Sequence, residues 1–103
     1  MAKKSLYPLT EPMFYVLLCF NRTDMCGTDV AEYVRKLTSD RIILGPGTLY
    51  TILSTFQSEK IIEKVSVDGR RITYSITEKG RELYKSELAR LRLCLHDAEL
   101  EEL

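Results

Sequence analysis

The sequence has 103 residues, 45% of them hydrophobic and 29% charged, which suffices for one globular domain and is too short for two. Fifteen basic residues balance fifteen acidic ones, so bulk positive charge alone cannot drive binding to a polyanion. The three cysteines lack the spacing of a metal site or a disulfide framework, and no apolar run is long enough to span a membrane. We therefore expect a cytoplasmic protein with reduced thiols and without a metal, a cofactor or a membrane segment.

The first two helices are predicted from capping residues and apolar periodicity. Thr10 is a favourable N-cap, and the apolar residues between Met13 and Phe20 indicate a first helix that is apolar on nearly all sides. Residues 21–27 are predicted as a turn, after which Thr28 or Asp29 caps a second helix. A very short strand is predicted at residues 42–44.

A stretch of fourteen residues without charge, residues 45–58, predicts the third helix. Four apolar residues have the spacing of one buried helical face: Leu49, Ile52, Leu53 and Phe56. The opposite face carries short hydroxyls and one phenol, with no acidic group to repel phosphates. Proline suits the first helical position, and glycine lets another backbone come close. We interpret this element as a recognition helix that contacts DNA through Pro46, Gly47, Thr48, Tyr50, Thr51 and Ser54.

A β-hairpin is predicted after the third helix, which should end near Glu59 with Lys60 in a left-handed conformation. Asp68-Gly69 is a strong turn dipeptide, and the return strand alternates apolar and polar residues from residue 71 to residue 76. Three helices and a two-stranded hairpin predict a winged helix-turn-helix, an α+β fold that is mostly helical. Arg70 and Arg71 at the hairpin tip are expected to contact DNA; the alternative is a purely solubilising role.

The C-terminal segment is predicted to form a long helix capped by Thr77. Its apolar residues follow a heptad pattern: Tyr84, Leu88, Leu91, Leu95 and Ala98. A helix of about 25 residues would be about 37 Å long, more than a small body can cover. We therefore divide the chain into a DNA-binding domain, residues 1–78, and a dimerisation helix, residues 79–103. Phe14 and Leu17 of the first helix are expected to join the dimer interface, although the heptad residues could instead pack on that helix within one chain.

Several short motifs resemble those of the PadR-like transcriptional regulators. The resemblance is carried by Leu9-Thr10-Glu11, Gly45-Pro-Gly-Thr-Leu-Tyr50, Ile61-Ile62-Glu63 and Thr77-Glu-Lys-Gly80. It implies a winged helix that dimerises through its last helix and uses the third helix and the wing on DNA. The chain departs from the family before the second helix: Cys26-Gly27-Thr28 stands where members often have a His-Gly-Tyr type sequence, so the aromatic residue that can touch the DNA backbone is lost. Thr28 occupies its position and is included among the expected DNA contacts.

Together these features predict a sequence-specific DNA-binding transcriptional regulator, a homodimeric repressor that binds an inverted-repeat operator. The resemblance also implies a small hydrophobic or aromatic effector at the dimer interface. The alternative is a winged-helix protein-interaction module that does not bind DNA, which agrees with the balanced charge and the uncharged third helix. The sequence contains no paired acid and base, phosphate-binding loop or ligand cluster that would indicate an enzyme.

Overall fold

A computed structural model describes residues 7–102, so residues 1 and 103, the outer limits of the two predicted segments, lie outside it. The described part is an α+β fold that is mostly helical, as predicted. The elements in chain order are α1 (Glu11–Arg22), β1 (Met25–Cys26), α2 (Gly27–Leu37), α3 (Pro46–Ser58), β2 (Ile62–Asp68), β3 (Arg71–Ile76) and α4 (Glu78–Glu101). Within these residues, no helix has the length and apolar character needed to cross a bilayer.

Two helix starts follow from the predicted caps. The hydroxyl of Thr10 accepts a hydrogen bond from the Met13 N–H at 3.3 Å, at the start of α1. The hydroxyl of Thr77 accepts from the Gly80 N–H at 3.1 Å, at the start of α4. Each cap satisfies a backbone donor that the first turn of a helix leaves without an intrahelical partner.

The start of α2 differs from the prediction, which placed the cap at Thr28 or Asp29. The N-cap is Cys26, and no side chain caps the helix. The reason is strand pairing: Met25 and Cys26 form β1, which pairs with β3 and keeps the backbone extended up to the first helical residue. A two-residue strand is too short to show a period of two in the sequence.

The sheet therefore has three strands in the order β1-β3-β2, where a two-stranded hairpin was predicted. All neighbouring strands are antiparallel. The alternation predicted for β3 is confirmed, since Tyr74 and Ile76 are buried while Arg71 is exposed. The strand predicted at residues 42–44 is wrong, because this segment forms no strand and connects α2 to α3 as a loop.

The core lies between α1, α2, α3 and the inner face of the sheet. The predicted inner face of α3 is confirmed: Leu49, Ile52, Leu53 and Phe56 are all buried. Leu17 was predicted at the dimer interface, but its side chain is fully buried inside the subunit. That placement is corrected, because a side chain without exposed surface offers nothing for a second subunit to contact.

The Thr77-Glu-Lys-Gly80 motif fastens the start of α4 to the end of α3. The single hydroxyl hydrogen of Thr77 is shared between the Lys60 carbonyl, 2.6 Å from the hydroxyl oxygen, and the Ile61 carbonyl, 3.0 Å from it. The Lys79 ammonium donates to the Glu59 carbonyl at 2.8 Å. Lys60 has φ 62°, which confirms its predicted left-handed conformation. These bonds satisfy carbonyls of the three residues that follow α3, and they tie the orientation of α3 to that of α4.

The first half of α4 packs against α1. The rings of Phe14 and Tyr84 stack with their centroids 5.4 Å apart. Glu87 is buried, and its carboxylate accepts from the Leu9 N–H at 2.9 Å and from two nitrogens of Arg90, each at 3.0 Å. Burial alone would raise the pKa of Glu87, but the Arg90 guanidinium and the Leu9 N–H together lower it below its usual range. This network fixes α4 beside the chain that enters α1.

The second half of α4 extends beyond the body of the subunit. Every residue from Leu91 to Glu102 is exposed, including Leu93 at 64%. The predicted heptad residues are thus divided between two environments: Tyr84 contacts α1 of its own chain, whereas Leu91 and Leu95 contact no other helix of the described chain closely enough to be buried.

Candidate DNA-binding surface

The outward face of α3 is the centre of the candidate surface. Tyr50 is 68% exposed, and no charged residue occurs between Pro46 and Ser58. The exposure predicted for the remaining members of this face is confirmed: Pro46, Gly47, Thr48, Thr51 and Ser54 are all exposed. The face therefore offers hydroxyl donors and acceptors without a carboxylate, a composition suited to base edges and phosphate oxygens.

The start of α1 borders this face. Thr10, Pro12 and Met13 share a shallow groove with Thr48 and Thr51 of α3. Arg41, which no sequence motif indicated, donates to Glu11 and to the Tyr15 hydroxyl on α1, both at 2.8 Å. These hydrogen bonds raise the pKa of the Arg41 guanidinium. No short-range sequence signal could reveal this cluster, because its members come from both sides of α2.

The two wing arginines differ in their surroundings. Gly69, with φ 64°, is the first residue of a two-residue turn, and Arg70 follows it at the tip. Arg70 has no hydrogen-bond or ion-pair partner within residues 7–102. Arg71 instead donates to the Asp29 carboxylate on α2 at 2.9 Å. Arg70 is therefore available to bind an anion. Arg71 must first break its ion pair with Asp29 before it can bind one.

A groove between α2, α3 and the wing brings several predicted residues together. This wing groove has a volume of about 640 Å³. Its lining includes Thr28 at the start of α2, Tyr50 on α3, and Arg70 and Arg71 on the wing. Thr28 is exposed, and its hydroxyl lies 3.3 Å from the Cys26 sulfur. With Pro46, which also belongs to the lining, five of the residues predicted to touch DNA thus surround one depression on the same side of the subunit.

A three-helix body that exposes a polar third helix beside a β-hairpin wing defines a winged helix-turn-helix protein. The sequence profile of the family described as "Transcriptional regulator PadR-like family" matches residues 16–86. The chain belongs to this family, whose members are transcription regulators. A search of curated protein sequences finds no significant match.

Solved structures share the fold. A transcriptional regulator from Clostridium thermocellum superposes with a TM-score of 0.77 at 20% identity, covering 84% of this chain and 88% of that one. A PadR family regulator from Clostridium difficile gives a TM-score of 0.77 at 18% identity, covering 88% and 97%. Bacillus subtilis PadR, solved in complex with operator DNA, gives 0.68 at 16% identity, covering 77% of this chain and 47% of that one.

Proposed function

We propose that this chain is a homodimeric, DNA-binding repressor of transcription that recognises an inverted-repeat operator in the cytoplasm. The observation that carries the proposal is the uncharged, exposed face of α3 beside an unpaired arginine at the wing tip. Each α3 enters a major groove, where its hydroxyls and Tyr50 contact base edges, and the wing arginines contact the flanking backbone. The complex of Bacillus subtilis PadR with operator DNA supports this use of the shared fold.

The exposed half of α4 supports the proposed dimerisation. Leu91, Leu93, Leu95 and Leu100 all present apolar surface to solvent. Apolar side chains gathered on one projecting helix are typical of an interaction site. A second copy of the same helix offers a matching surface, and two-fold symmetry then places two α3 helices on half-sites about one DNA turn, about 10 bp, or a multiple of it apart. A small hydrophobic effector that alters this spacing would release the operator.

Replacing Leu91 by Asp should dissociate the dimer. The change puts a charge into the proposed apolar contact, where an unpaired carboxylate costs several kcal/mol. In sedimentation equilibrium, we expect the mass to fall from twice the 11.9 kDa of one chain to that of a single chain. Leu37→Asp is the matched control, since Leu37 is an exposed leucine on α2. A dimer that persists in Leu91→Asp would remove α4 from the interface.

The DNA-binding proposal is tested by titrating the protein against duplex fragments from upstream of its own gene. We expect saturable binding to one fragment, with log affinity falling linearly as log salt rises, because Lys and Arg displace counterions from phosphates. Weak binding that does not distinguish fragments would favour the alternative, a winged-helix protein-interaction module. That alternative agrees with the equal numbers of basic and acidic residues.

Separate Arg70→Ala and Arg71→Ala variants sharpen the same titration. Arg70→Ala should lower affinity roughly tenfold on every fragment, because it removes a charge-assisted contact to the backbone. Arg71→Ala should cost about threefold or less, since Arg71 gives up its exposed ion pair with Asp29 to reach a phosphate. Equal losses, or a loss confined to one base position, would contradict these roles.

A further inference from the structure

The wing groove has the size and lining of a small-molecule site. Its volume of about 640 Å³ lies within the range of roughly 300–1,000 Å³ that ligand pockets occupy. Most of its lining is apolar and comes from α3, from the loop that precedes it and from the wing: Ile43, Leu44, Leu49, Leu53 and Ile72. Burying the hydrocarbon part of a ligand there would remove apolar surface of both molecules from water.

The polar groups of the wing groove are mainly hydrogen-bond donors. Tyr74 is only 8% exposed, yet its hydroxyl has no hydrogen-bond partner within residues 7–102. The ring packs edge-on against Phe20, but the hydroxyl is not sealed from solvent. Tyr74 is one of the lining residues, and its phenol interacts with that of Tyr50, another lining residue, which directs the hydroxyl toward the groove. Burial, and then the nearby Tyr50, raise the pKa of Tyr74, so the phenol keeps its proton at neutral pH. Arg70 adds an unpaired guanidinium at the rim.

The carboxylate in the lining of the wing groove, that of Glu32, is already paired with basic side chains of α2. Glu32 accepts from Arg35 at 3.0 Å and lies 3.5 Å from the Lys36 ammonium. Besides the exposed Tyr50 hydroxyl, the lining groups without a partner among residues 7–102 are the Tyr74 hydroxyl and the Arg70 guanidinium, both of which favour an acceptor. A cationic ligand would find no free acidic partner in this lining, and a neutral hydrocarbon would leave both donors unpaired.

We propose that the wing groove binds a small molecule with an apolar body and one anionic group, and that this ligand competes with DNA. The apolar body lies against Leu49, Leu53 and Ile72, while the anionic group accepts from Tyr74 and Arg70. Competition follows because the lining includes Tyr50 and Arg70, which the proposed function assigns to DNA. The competition with DNA rests on the proposed function, whereas ligand binding to the groove does not. The site differs from the dimer interface, where the resemblance to the PadR-like family implies an effector.

The site is tested with 8-anilinonaphthalene-1-sulfonate, an apolar anion whose fluorescence increases in apolar surroundings. We expect one dye per chain, and roughly tenfold weaker binding of the uncharged analogue N-phenyl-1-naphthylamine. Tyr74→Phe should weaken the anionic dye about fivefold while changing the uncharged one little. Tyr33→Phe is the matched control, because Tyr33 lies on α2 outside the groove. Equal binding of both dyes, or no dye binding, would overturn the proposal.

A second variant fills the groove. Ala31→Leu places a larger side chain on the lining, whereas Ala89→Leu makes the same change on the exposed surface of α4. We expect Ala31→Leu to weaken dye binding at least tenfold and Ala89→Leu to leave it unchanged. Dye binding that survives both Ala31→Leu and Tyr74→Phe would place the dye elsewhere, on the exposed leucines of α4, and would refute the site.

Competition is measured by adding the anionic dye to the protein–duplex complex. The dye should release wild-type protein at concentrations near its own dissociation constant, and Ala31→Leu should need at least tenfold more. If the protein–duplex complex remained intact while the dye saturated the groove, the proposed competition would be refuted. If the protein binds no duplex at all, the proposed function fails, while the dye titrations still decide whether the groove is a ligand site.

Discussion

The double variant Thr51→Glu/Ser54→Glu is expected to lose operator binding by more than a hundredfold while keeping its fold. Both residues are exposed and stand on the outward face of α3, three positions apart. Two carboxylates placed against DNA phosphates are like charges in close contact, which cost several kcal/mol. The substitutions bury nothing, so the melting temperature should stay within about 3 °C of wild type. Fluorescence anisotropy with a labelled operator and circular dichroism measure the two quantities.

Matched single substitutions show whether the loss of affinity depends on where the new charge is placed or only on the added charge. Ser54→Glu should weaken binding about tenfold or more, whereas Ser86→Glu adds the same charge on the exposed surface of α4 and should change affinity little. The salt dependence provides a second check, since repulsion by phosphates weakens as salt rises. Operator binding that survives the double change would show that this face of α3 does not contact DNA.

Gly80→Ala is expected to destabilise the protein by about 3 kcal/mol and to lower the melting temperature by roughly 10–20 °C. A Cβ atom at residue 80 would lie 2.4 Å from the Ile61 carbonyl oxygen and 2.7 Å from Cγ1 of Ile76. Neither neighbour is free to move away, because Ile61 and Ile76 are both buried. The Ile61 carbonyl also accepts from the Thr77 N–H at 3.0 Å. Thermal and urea denaturation followed by circular dichroism measure the loss.

Gly47→Ala is the control for this change. A Cβ atom at residue 47 would meet no heavy atom within 4 Å, and the residue lies in the first turn of α3. Because alanine restricts the unfolded chain more than glycine does, stability should stay the same or rise by about 0.5–1 kcal/mol. If Gly80→Ala melted at the same temperature as Gly47→Ala, the close packing of α4 against the end of α3 would be refuted.

The contrast between these glycines shows what a motif can and cannot reveal. Gly47 and Gly80 both belong to short motifs that resemble the PadR-like family, and the sequence gives no sign that they differ. The structure places Gly47 in open space and Gly80 against the Ile61 carbonyl. The difference arises because Ile61 and Gly80 are nineteen positions apart in the chain and meet only when the wing folds back.

Local patterns predicted the elements whose signals lie within a few residues. The caps at Thr10 and Thr77, the buried face of α3 and the left-handed Lys60 were all confirmed. Each depends on a spacing of at most one or two helical turns, or on a single residue at a helix end. The exposed face of α3 was predictable for the same reason, because the buried face determines its opposite.

The predictions that failed depend on contacts between distant segments. The start of α2 moved to Gly27 because Cys26 pairs with Thr73, and Leu17 was assigned to an interface although it is buried in the core. In both cases the outcome depends on contacts with parts of the chain that lie far away in the sequence. An apolar helix such as α1 can be buried by its own chain or by another, and periodicity alone does not distinguish the two.

The sequence by itself determined the order of the elements, the uncharged outward face of α3 and the resemblance that identified the family, since all three depend on residues close together in the chain. Only the tertiary structure decided that Arg71 is paired with Asp29 while Arg70 has no described partner, and that Tyr74 lines a groove. These properties depend on how α2, α3 and the wing pack, and packing places residues more than forty positions apart within hydrogen-bond distance.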